Sequence, residues 1–174
     1  SLVAASAIPE VRYGILNVPG AGWTHFIAHS MVFDLIRSVM RAKYGSDLDA
    51  FHALAMSQSL WDEADGASFT TERAGRDLVF LLQQSMDDPI LPNAGTELAA
   101  VVTGAVHIGK PLSPIWGLSE REVVEGASGI TQYRVPDDGP YAVHGFAARN
   151  TPDGDAAREQ IREFLTTARQ GAPV

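Results

Sequence analysis

Apolar and polar positions come in blocks along this chain, and the sharpest block is Leu78-Val-Phe-Leu-Leu82. It is too short for a helix and predicts a strand buried on both faces. Beyond it lie Asp87 and Asp88, and then Pro89 and Pro92, which cannot continue a central strand. The chain is therefore expected to turn at the two carboxylates. That turn leaves acidic side chains at the C-terminal edge of a parallel sheet, where α/β folds place their chemistry.

Upstream, Ser1 to Ala7 is small and apolar and reads as the last turns of a helix stopped by Pro9. Arg12 to Val18 predicts a second buried strand, ended by the sharp turn Pro19-Gly-Ala-Gly22. From Trp23 to about Tyr44, Phe26, Ile27, Val32, Phe33, Ile36, Val39 and Met40 recur at helical spacing and predict one long helix. Gly45 is its expected stop, with Arg41 and Lys43 in the last turn to suit the helix dipole. Asp47 is the expected cap of a second helix carrying Leu48, Phe51, Leu54, Ala55 and Met56. The stretch from Gln58 to Arg76 is polar and broken by Gly66 and Gly75.

Downstream of the prolines, Asn93 is the expected cap of a helix running to about Val102 and ended by Gly104. Ala105 to Trp116, with Pro111 and Pro114, reads as extended and irregular. Ile130 to Val135 predicts a short strand, followed by the turn Pro136-Asp-Asp-Gly139 and a loop holding His144. Pro152-Asp-Gly-Asp155 opens a final helix with Gln160, Ile161, Phe164 and Leu165 at helical intervals, capped by Asp153 or Asp155. Strand, helices, strand, helix, strand, helix is the alternation of a parallel sheet with crossover helices, so the fold class is α/β.

Composition narrows the function. The 174 residues are 45% hydrophobic, enough for one core, and no apolar run approaches the roughly 18 residues that span a bilayer. A net charge of -8 with no cluster of Lys or Arg argues against a nucleic-acid partner. The absence of cysteine excludes disulfides and thiolate metal sites. The N-terminus has neither a start methionine nor the charged n-region of a signal peptide. A processed chain, or a preceding part on a separate piece, is the expectation.

The candidate chemistry is an acid after one strand and a histidine after the next. Asp88 is the first choice of acid, with its neighbour Asp87 in reserve, since spacing alone does not separate them. Asp is also common in such turns for its own sake. His144 is the first choice of base, and His107 competes from a position nearer the acid loop but before the last strand. In the α/β-hydrolase fold a triad comes in the chain order nucleophile, acid, base, and Asp88 and His144 fit its last two members. His25 and His29, four apart on a helix, have the spacing of a zinc pair but no third ligand, so no metal and no cofactor is expected. Gly20-Ala-Gly22 lacks the further glycine and lysine of a phosphate loop and reads as a turn. Trp23, Phe26 and Phe33 are candidates for a substrate pocket under a lid, or simply core. Ser1 raises the separate possibility of an N-terminal nucleophile, which wants residue 1 on a strand, whereas its neighbours read as helix.

Several segments also carry a family likeness. Asp87-Asp-Pro-Ile-Leu-Pro-Asn-Ala-Gly-Thr-Glu-Leu-Ala99 is similar to the acid loop of bacterial α/β-hydrolase lipases and esterases. Ser59-Leu-Trp-Asp-Glu-Ala-Asp65 resembles the segment before that strand in their extracellular branch. Val143-His-Gly-Phe146 and Gln160-Ile-Arg-Glu-Phe-Leu165 resemble the histidine loop and closing helix. The resemblance implies the C-terminal part of an α/β-hydrolase sheet. Residues 1–22 would form the end of the nucleophile helix and a central strand, 23–76 a helical cap, and 77–174 the part carrying acid and base. It implies a serine ester hydrolase acting on an ester or lipid, in a secreted or cell-envelope setting. The sequence departs from the family in one respect: Gly-x-Ser-x-Gly is missing, and Gly126-Ala-Ser-Gly129 lacks its second spacing. The nucleophile and oxyanion-hole amides are then expected on a preceding segment, the N-terminal partner of this part. Amidase or peptidase activity on the same scaffold, and a non-catalytic binding module, are the alternatives.

Overall fold

A computed structural model describes residues 2–68, 75 and 77–171. Five parallel strands form one sheet: β1 (Tyr13–Asn17), β2 (Val79–Ser85), β3 (Val106–Ile108), β4 (Glu120–Arg121) and β5 (Gly129–Tyr133), in the spatial order β1-β2-β5-β3-β4. The helices are α1 (Leu2–Ala7), α2 (Trp23–His29), α3 (Asp34–Tyr44), α4 (Asp47–Trp61), α5 (Asn93–Val102), α6 (Pro140–His144) and α7 (Pro152–Arg169). This is an α/β fold with helices on both faces of a parallel sheet.

β2 sits between β1 and β5, and each of its residues is buried. Its alternating side chains build two cores. Phe80 and Leu82 pack with Leu2 and Ala5 of α1 and with Ala99 and Ala100 of α5. Val79 and Leu81 pack with Phe164 of α7 on the other face. The strand is longer than the apolar run that predicts it, because Gln83, Gln84 and Ser85 are buried too. Buried amides are tolerated where they are hydrogen-bonded. Gln83 accepts from Asn17 Nδ2 (3.0 Å) and donates to Gln160 Oε1 and to the Ala157 carbonyl, both at 2.9 Å. Gln84 accepts from Gln132 Nε2 (2.8 Å). Tyr133 also donates to Gln160, and burial pushes its phenol up to about 12.

Several boundaries differ from the expectations above. The helix expected over Trp23–Tyr44 is interrupted at Ser30, whose backbone is extended (φ -73°, ψ 137°). The Ser30 hydroxyl accepts from Val32 N–H and donates to the Ile90 carbonyl (2.6 Å), holding the break against the acid loop. Ser46, not Asp47, caps α4 by accepting from Asp49 N–H, and Thr151, not Asp153 or Asp155, caps α7 through Gly154 N–H. Asn93 does not cap α5; its side chain is committed elsewhere. The stretch expected to be irregular over 105–116 contains β3, and the strand expected over Ile130–Val135 runs from Gly129 to Tyr133. Among the described residues no helix is long and apolar enough to cross a membrane.

Candidate active site

The acid loop begins where β2 runs out of partners. Met86 N–H still donates to the Tyr133 carbonyl (2.9 Å), and then Asp87 adopts φ +60°, a left-handed conformation that turns the chain. Asn93 staples that turn: Nδ2 donates to the Ser85 carbonyl (2.6 Å) and Oδ1 accepts from Asp87 N–H (2.7 Å). Asp87 is exposed, while Asp88 is only 4% exposed. Asp88 Oδ1 accepts from the N–H groups of Ile90 (2.8 Å) and Leu91 (3.1 Å), which leaves Oδ2 available.

Oδ2 of Asp88 lies 2.8 Å from Nδ1 of His144. A carboxylate without a proton only accepts, so Nδ1 carries the hydrogen and, in the neutral ring, Nε2 holds a free lone pair. The acid side chain is 1% exposed and the imidazole 30%, so the pair is closed on the acid side and open on the base side. His144 is expected in a loop but is the last residue of α6, a short helix whose N1 residue is Pro140. Gly145 follows it because a β-carbon there would stand 2.9 Å from the Tyr141 carbonyl. Phe146 is completely buried and stacks obliquely on Tyr133 (4.9 Å), anchoring the histidine segment to β5. α7 then approaches so closely that a β-carbon on Gly154 would lie 2.3 Å from the Arg149 carbonyl. Arg158 donates to that same carbonyl at 2.8 Å.

At the C-terminal end of β1 is a cavity of about 690 Å³, which Leu91 of the acid loop helps to line while Asp88 and His144 do not. Ile15, Leu16, Pro19, Trp23, Phe26 and Leu91 make its walls largely apolar. Of the three aromatic pocket candidates, Trp23 and Phe26 line it, whereas Phe33 stands behind, packed edge-on against Phe26 at 5.0 Å. Asp65 gives the cavity a polar corner. Burial by itself would raise its carboxyl pKa. Hydrogen bonds from the N–H groups of Ala67, Trp23 and Gly22 and from Gln58 outweigh that, and hold it below the ordinary range. In Gly20-Ala-Gly22 the Gly22 amide is taken by Asp65 and the Ala21 amide by the Gly95 carbonyl, so neither points free as a phosphate loop would need.

The remaining histidines are placed elsewhere. His107 is buried on β3, and its Nε2 accepts from Ile115 N–H (3.0 Å), so the competitor for the base is committed to a loop. Its pKa is lowered by burial, against the pull of Glu120 and Glu97. His25 and His29 lie with ring centroids 4.3 Å apart and planes tilted by 42°, and His25 is held below its usual pKa by burial and by His29. No group of three His, Asp or Glu fit to hold a metal occurs among the described residues. Ser1 lies outside them. Sequence reasoning did not anticipate Asn93 as staple, Ser30 as the tie between α2 and the acid loop, or Asp65 as the carboxylate bound to the turn. Asn93 was legible only as a helix cap, and neither Ser30 nor Asp65 carries a local signal.

The neutrality of His107 has a consequence for stability. A histidine whose folded pKa is depressed stabilises above its unfolded pKa and loses that contribution as pH falls, because the unfolded chain binds the proton first. Protonating Nε2 also removes the acceptor for Ile115 N–H. The thermal midpoint should therefore fall as pH drops below about 6.5. In His107→Leu this part of the slope should be missing, which melting curves across that range would check.

Compared with family models, curated proteins and solved structures, the chain matches none of them.

Proposed function

We propose that this chain carries the acid and base of a serine ester hydrolase of the α/β-hydrolase kind, with the nucleophile on a segment that precedes it. The observation that carries the reading is the 2.8 Å contact between Asp88 Oδ2 and His144 Nδ1, at the C-terminal rim of the adjacent strands β2 and β5. Two observations support the missing nucleophile. Gly-x-Ser-x-Gly does not occur in the sequence, and β1, although half-buried and apolar at its centre, pairs among the described residues only with β2. Its free edge adjoins the cavity, where a further strand would complete the sheet.

The chemistry follows from the hydrogen-bond directions. Nε2 of His144 takes the proton of the serine hydroxyl as its oxygen adds to the ester carbonyl. The tetrahedral intermediate collapses, the carbonyl–alkoxy bond breaks, and the alcohol leaves with that proton. Water then adds to the acyl-enzyme, giving a proton to Nε2, and the carboxylic acid departs as the proton returns to the serine oxygen. Asp88 holds Nδ1–H throughout, fixing the tautomer and stabilising the imidazolium. Ile90 and Leu91 N–H hold the acid. Trp23 and Phe26 would face the acyl group of the substrate, in a cavity large enough for a small ester.

A fluorophosphonate probe tests the reading on the natural full-length protein. It should label one serine outside residues 1–174, and labelling should be lost on heat denaturation. A protein that resists the probe while folded would instead be a binding module.

A further inference from the structure

The helices α3 and α4 form an antiparallel hairpin joined by Gly45 and Ser46, with an unusual surface. α3 contains no buried residue, and its apolar stripe points outward: Leu35 is 78% exposed and Val39 61%. A surface helix normally turns that stripe to the core. α4 buries Ala50 and Leu54 yet also leaves Leu48, Met56 and Leu60 more than half exposed, so it is apolar on both sides. Such a helix is built to be covered twice.

We propose that this hairpin face is the interface with a second copy of the chain. The charges choose that occupant. α3 carries Arg37, Arg41 and Lys43 against a single acid, Asp34. From Gly45 to Ser68 there is no Lys or Arg, but Asp47, Asp49, Asp62, Glu63 and Asp65. An anionic lipid surface would repel that acidic stretch, and the chain as a whole is at -8. A second hairpin related by a two-fold axis running along the helices lays α3 of one copy on α4 of the other. At the hairpin turn Arg41 already meets Asp47 of its own chain at 3.4 Å, while Lys43 and Asp49 lie there outside that pair, so the basic end of each α3 faces the acidic start of the other α4. Lys43 has no ion pair within its own chain among the described residues, and is free to make one across the axis.

The test is the mass of the natural full-length protein in solution, by light scattering on a sizing column and by sedimentation. Unaltered protein should run as a dimer. The double variant Leu35→Glu, Val39→Glu should run as a monomer with its thermal midpoint retained, and Lys43→Glu should raise the dimer dissociation constant by about tenfold or more. An unaltered protein that stays monomeric at high micromolar concentration overturns the proposal, whether another part of the polypeptide or phosphatidylcholine vesicles prove to cover the face. A dimer that survives Leu35→Glu, Val39→Glu overturns it as well, since another face then makes the contact. The proposal is independent of the hydrolase reading.

Discussion

Replacing His144 with alanine should lower kcat for hydrolysis of a p-nitrophenyl ester by about 10⁴-fold in the natural full-length protein. The reason is positional. Among the described residues, His144 is the one imidazole whose Nδ1 meets a buried carboxylate, and its partly exposed ring leaves Nε2 open. Its side chain is 30% exposed, so the vacated ring space fills with water that satisfies Asp88 Oδ2, while Ile90 and Leu91 keep Oδ1. The fold should survive, with an unchanged far-ultraviolet circular dichroism spectrum. Near-normal turnover by this variant would mean that the base is another group.

Asp88→Asn should cost a similar factor by a different route. The loop itself needs an acceptor at Oδ1 for the amides of Ile90 and Leu91, and asparagine keeps one. The other oxygen becomes an NH₂, which donates to Nδ1 of His144 and so drives the ring hydrogen to Nε2. The base is then in the wrong tautomer, and kcat should fall by about 10⁴-fold with the loop in place. Asp88→Ala should differ in stability. It takes the acceptor from two half-buried amides, and its thermal midpoint should fall where that of the asparagine variant does not. Full activity in Asp88→Asn would remove the acid from the mechanism. The same result in Asp87→Asn is expected, because Asp87 is exposed and only its backbone is tied, to Asn93.

The His107 competitor illustrates how far reading along the chain goes. By distance in sequence it was the nearer partner for the acid loop. The structure instead commits it to Ile115, and brings in a histidine 56 residues from Asp88. The choice follows from strand order: β5 inserts between β2 and β3, so the segment after β5 arrives beside the acid and β3 is pushed one place outward. A similar limit applies to the Trp23–Tyr44 stretch. Its helical periodicity is real on both sides of Ser30, but the break is made by a bond to Ile90, 60 residues away.

What the amino-acid order determined alone is local: the apolar run of β2, the forced turn at two prolines, the small-residue turn after β1, and the amphipathic start and stop of α7. These are consequences of backbone sterics and of 2.0 and 3.6 residue periods, which act within a few residues. What only the tertiary structure decided is which of two adjacent carboxylates is buried, which of several histidines meets it, and how Gln83 and Gln84 extend a strand past its apolar stretch. Those depend on partners far along the chain, because a buried polar group is stable only where the fold delivers its hydrogen bonds.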